Sequence, residues 1–206
     1  MNYSQVKSIF RKYKEEWLSQ IRRGEPLSLA YRDTVLQYLV NRSGMALNDS
    51  QRNNLLKFAN GKANTMVDEI LGNPLKADQI FEKHLNWLKV EGNHVAKAGQ
   101  QIRQWTSINN SVFKGYKLQW VTAGDEKVRH EHRLFDGVTL SKDDKFWQEQ
   151  FPGQAPNCRC TYKLVRGGGK KLTTDMLNIP SPNQWGFNVN AGFNGLFFGQ
   201  NHSYMK

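Results

Sequence analysis

Two histidines and two cysteines are the side chains of this sequence best suited to chemistry. His130 and His132 stand two apart, and so do Cys158 and Cys160. In an extended stretch, residues two apart project to the same side. Four donors would then converge, and two imidazoles with two thiolates make an acceptable tetrahedral zinc set. The intervals are shorter than the usual gap between paired zinc ligands, so other uses stay open. The thiols can be buried and unliganded beside a hydrogen-bonded histidine. A cysteine next to a histidine can serve as a nucleophile with its base. Histidines flanked by Arg129 and Arg159 could cleave a phosphodiester by acid–base chemistry, with a guanidinium on the phosphate. A Cys158–Cys160 disulfide is awkward, because in a regular strand the two Cα atoms lie about 6.6–7 Å apart. No G-x-S-x-G, phosphate-binding loop or H-E-x-x-H pattern accompanies these residues.

The elements that must position them change type along the chain. Residues 4–22 carry Val6, Ile9, Phe10, Tyr13, Trp17, Leu18 and Ile21 at spacings of three and four, which predicts an amphipathic helix. Gly24 and Pro26 end it. Ser28 is placed to cap a second helix, which Gly44 closes. Asn48-Asp49-Ser50 offers caps for a third, which Gly72-Asn73-Pro74 stops. A fourth runs from about Lys76 to Trp105, and Gly92 and Gly99 within it predict a kink or a split. Near residue 112 the period changes. Tyr116–Thr122 alternates apolar and polar residues as a strand does, and Val138-Thr139-Leu140 reads as another short strand. Cys158–Val165 alternates again, with Cys158, Cys160, Tyr162 and Leu164 on one face. Between these strands, 143–151 has room for one or two helical turns.

The expected class is therefore α+β: a helical region over 1–111, a small mixed α/β module over 112–166, and an irregular tail over 167–206. The tail opens on Gly167-Gly168-Gly169, a flexible joint. Residues 183–204 contain no Lys, Arg, Asp or Glu but hold Trp185, Phe187, Phe193, Phe197, Phe198 and Tyr204. So much aromatic area must be covered, by the protein's own surface in preference to a partner.

Composition narrows the function classes. The 206 residues are 38% apolar and carry a net charge of +11. Of the basic residues, 18 fall in the first 120 positions against 10 acidic ones. The pairs Arg22-Arg23 and Lys170-Lys171 are not tracts, and charge spread in this way suits non-specific phosphate contact better than base readout. No run approaches the length of a membrane span, and the N-terminus lacks the apolar stretch of a signal peptide. With 2 cysteines there is no disulfide framework, so assembly in a reducing cytoplasm is expected.

The segment from Trp120 to Cys160 also resembles a known family. Trp120, Thr122, Asp125, Arg129, His132, Asp136, Gly137, Asn157, Cys158, Arg159 and Cys160 fall, in order and spacing, on the pattern of the phage head morphogenesis proteins. These are the Mu F-like and SPP1-type minor head proteins. The tail, with Phe187-Asn188 and Asn201-His202-Ser203-Tyr204, is similar to the ending of some members. The resemblance implies a virion component present in few copies and often associated with the portal, doing assembly or DNA-delivery work and not turnover; with the basic helical region, the expected partners are the portal or other head proteins and packaged double-stranded DNA. Many members carry Cys-x-x-Cys where this chain has Arg129-x-x-His132, so a fourth ligand to a structural zinc falls to His130. Without metal, Arg129 would pair with Asp125 or Asp136 and hold the loop. Many members also have His-Pro before Cys-Arg-Cys, where this chain has Ala155-Pro156-Asn157. The alternative function is a virion-delivered nuclease-like or toxin-like domain acting on nucleic acid.

Overall fold

The computed structural model describes residues 1–27, 29–109, 115–155, 158–179 and 190–206. The front half forms α1 (Tyr3–Arg22), α2 (Leu29–Ser43), α3 (Asp49–Gly72) and α4 (Ala77–Ile108). Two of these helices start with the same device. The side chains of Asn2 and Asn48 accept from the backbone N–H of Gln5 and Gln51, whose own side chains accept from the cap residues' N–H groups. Each such reciprocal cap satisfies donors that a helix start leaves bare. The expected cap Ser28 lies outside the described residues, as do Asn157, Trp185 and Phe187.

The periodic apolar residues of these helices form one core. Trp17 sits at its centre, with the rings of Phe10 and Tyr31 each 5.2 Å away and Phe81 at 6.2 Å. The expected kink at Gly92 and Gly99 is absent: α4 is continuous over 32 residues. Both glycines instead admit α2. A Cβ on Gly92 would lie 2.3 Å from the Tyr38 hydroxyl, and one on Gly99 would lie 2.1 Å from the Ser43 carbonyl oxygen. The cost of glycine in a helix is offset by the close helix crossing it permits.

The second half is built on β1 (Lys117–Val121), β2 (Thr139–Ser141) and β3 (Thr161–Val165), with α5 (His130–Phe135) and α6 (Phe146–Glu149) in the connections. The sheet order is β2-β1-β3, all antiparallel, with Leu118 opposite both Leu140 and Leu164. The third strand is shorter than its alternating pattern predicts. Cys158 donates its backbone N–H to the Ala155 carbonyl, so the chain is still turning at the cysteines and enters the ladder only at Thr161. Leu118, Trp120, Phe135, Val138, Phe146, Trp147 and Phe151 make a second core, to which α4 adds Trp105 and Ile108. One long helix thus belongs to both cores. Among the described residues no helix is long and apolar enough to cross a membrane.

The tail comes back to the first core. After α7 (Thr174–Leu177), α8 (Ala191–Asn194) packs on α4, and Phe197, Phe198 and Met205 are buried among the front helices. The Phe198 ring stacks on Phe58 at 3.7 Å. Asn54 accepts from the N–H groups of Phe197 and Phe198 and donates to the Phe198 carbonyl. His94 Nε2 donates to the Phe197 carbonyl at 2.7 Å. The described part of the tail therefore covers the protein's own surface, as its aromatic content requires.

This docking makes stability depend on pH. Burial pushes His84, His94 and His202 down to about 4, from 6.5. Between those values the unfolded chain binds more protons than the folded one, so the stability present above about pH 6.5 is lost as pH falls. At pH 5 the loss is on the order of 1–2 kcal/mol per histidine. Urea unfolding at pH 7.5 and pH 5 should show a lower midpoint at pH 5, and equal midpoints would contradict this reading.

Candidate metal centre

β1 places Trp120 in the second core, and α5 lays His132 against its ring at 5.5 Å in an edge contact. The register of α5 decides which histidine takes part. Because His130 and His132 lie on a helix and not on a strand, they point in different directions, about 100° apart per residue. His132 and Phe135, three apart, share the buried face, while His130 is exposed. The expected four-residue set is thus a three-residue one in this structure: the ligand atoms of His132, Cys158 and Cys160 lie within 4.8 Å of one another, and all three residues are buried.

His132 Nδ1 is 3.5 Å from the Cys158 sulfur and 3.6 Å from the Cys160 sulfur. A tetrahedral zinc with its usual bond lengths sets a sulfur–nitrogen edge of about 3.6 Å. The two spacings fit that edge. Both cysteines are free thiols. A hydrogen bond from Cys160 draws the Cys158 thiol down to about 4, with His132 adding to the effect, and the same bond together with burial raises Cys160. The Trp120 indole N–H is buried without a hydrogen-bond partner, and it and the Ala123 backbone N–H both favour a thiolate at Cys160. N–H donors near a sulfur are the outer partners that metal-bound thiolates take. The donor set is compatible with a structural metal.

The remaining motif residues build the frame. Thr122 donates from its backbone N–H at 2.7 Å and its hydroxyl at 3.0 Å to Asp136 Oδ1. Gly137, at φ +79, then donates its N–H to the Trp120 carbonyl. Only glycine takes that conformation without strain, so Asp136-Gly137 returns the chain beneath β1. The cation that pairs with Asp125 is Arg159, bidentate at 2.5 and 2.6 Å, and it holds the Asp125 carboxyl below its usual range. This exposed pair ties the loop before α5 to the chain between the cysteines, with a small net energy. Arg129 precedes α5 and is exposed.

Two supports were not legible in the sequence. Arg133 clamps the same loop by donating to the Val128 and Glu126 carbonyls. Lys97 reaches from α4 to donate to the Cys158 carbonyl, and its charge lies beside both thiols. Neither stands in a motif. Lys97 is 61 positions from Cys158 and looks like any polar residue of an amphipathic helix.

The family model described as Phage Mu protein F like protein matches residues 61–163. The match begins within α3, takes in all of α4, and contains His132, Cys158 and Cys160 together with their frame. It lends nothing to the nuclease-like alternative. No curated protein and no solved structure matches the chain. The matched span is half of the sequence, and on it the chain belongs to the phage Mu protein F-like family, a family of phage head proteins.

Proposed function

We propose that the protein acts by binding within the phage head, next to the portal, the packaged DNA or both, and that zinc on His132, Cys158 and Cys160 braces its second core. The observation that carries this reading is the coincidence of the family match with a metal-compatible cluster lying wholly inside it. Zinc would supply a cross-link from α5 to the 158–160 segment, at the edge of the second core. The front helices supply the electrostatics. Arg11, Lys12 and Arg22 are exposed on α1 and Arg52 and Lys57 on α3, which suits contact with phosphates spread over a surface.

Retention of double-stranded DNA in a gel shift should be measurable at 50 mM salt and fall steeply toward 200 mM, because each phosphate contact releases a counterion. No retention at low salt would remove DNA from the proposal. Co-purification with portal from disrupted particles tests the other half independently. Incubation with DNA or RNA, with and without divalent metal, should leave both intact.

A further inference from the structure

The metal-compatible cluster has three protein donors, and one side of it is open. Cys158 and Cys160 line a cleft of about 260 Å³ between α4 and the start of β3, together with Lys97, Gln104, Arg159 and Tyr162. Gln101, also in the lining, donates to the Pro152 carbonyl. The Trp120 ring packs on His132, and both cysteines belong to the second core. Among the described residues no further His, Cys, Asp or Glu joins the group. Asp125, an acidic residue of the frame, is held by Arg159 and by the Lys127 N–H. Tetrahedral zinc wants four donors, and sites with three protein ligands keep the last position for an outside one.

We propose that a metal on His132, Cys158 and Cys160 takes its fourth donor from outside the chain, through this cleft, and that Lys97 selects an anionic donor such as a carboxylate. The inference rests on the metal reading above. Charge favours an anion. Two thiolates and a neutral imidazole already neutralise a divalent ion, so an added anion leaves the centre at −1. The Lys97 ammonium, which donates to the Cys158 carbonyl and lies beside both sulfurs, offsets that charge. A neutral donor gains nothing from it. In an assembled head, an aspartate or glutamate of a neighbouring protein is a donor of this kind.

Cobalt(II) loaded in place of zinc reports its coordination through its visible spectrum. Titration with acetate and azide should shift that spectrum. In Lys97→Met the affinity for both anions should fall about tenfold, while the response to added imidazole is unchanged. Gln104→Glu, which leaves the Lys97 contact intact and adds a negative charge to the cleft, should weaken the anions in the same direction. A cobalt spectrum that ignores acetate, azide and imidazole alike would show a closed centre and overturn the inference, leaving the metal reading in place. Equal loss of anion and imidazole binding in both variants would overturn the selectivity. Protein that takes up no cobalt would overturn the metal reading itself.

Discussion

Gly99→Ala is expected to destabilise the protein by about 2 kcal/mol or more, although alanine is the better helix former by about 1 kcal/mol. The added Cβ would sit 2.1 Å from the Ser43 carbonyl oxygen, at the C-terminal end of α2. A flexible side chain could give way, but this neighbour is backbone. It is also pinned, because Arg103 of α4 donates to the Ser43 and Gly44 carbonyls at 3.2 and 3.0 Å. Relief therefore requires α2 and α4 to part, which opens the core around Tyr38, Leu39 and Val95. Gly72→Ala is the control. It lies at the end of α3, nothing stands within 4 Å of its built Cβ, and its backbone does not need glycine. That variant should stay within about 0.5 kcal/mol of the parent. Urea midpoints measure both, and a Gly99→Ala protein as stable as the parent would refute the crossing argument.

The same residue shows why only part of the fold could be read from the sequence. The four front helices are written in local periodicity and in caps such as Asn48, and they appear where the pattern puts them. What Gly99 costs its own helix is also local and visible. What it makes possible is a contact with Ser43, which no local pattern encodes. The sheet was legible for a related reason: alternation in 117–121 and 161–165 reports the face that packs on the second core. It misled at Cys158 and Cys160, where the alternation continues past the point at which the chain leaves the ladder. The histidines failed in the same way. Counting by two assumes an extended backbone, and α5 rotates His130 away from the site. A helical count would have paired His132 with Phe135 instead. The tail's aromatic content required a cover, but only the three-dimensional arrangement of α3 and α4 identifies it.

That correction gives the metal reading its sharpest expectation, a contrast between two histidines one residue apart from being neighbours. Protein purified without chelator should carry about one zinc per chain, and His132→Ala, Cys158→Ser or Cys160→Ser should each abolish it. His130→Ala should keep it, because that imidazole is exposed at the start of α5 while the three ligand atoms converge without it. The stability consequence follows from mass action. At free zinc a thousandfold above its dissociation constant, binding to the folded state alone contributes about 4 kcal/mol. For a chain of this size that is about 8–16 °C in thermal midpoint, lost on adding chelator. In His132→Ala the midpoint should already be low and chelator should change nothing further, since among the described residues the imidazole is the one metal donor that joins α5 to the cysteines. Trp120 packs on His132 and favours the Cys160 thiolate, so its fluorescence should report the same titration from inside the second core. A chain in which His130→Ala removes the metal and His132→Ala does not would place the ligands on an extended backbone, and the register of α5 described here would be wrong.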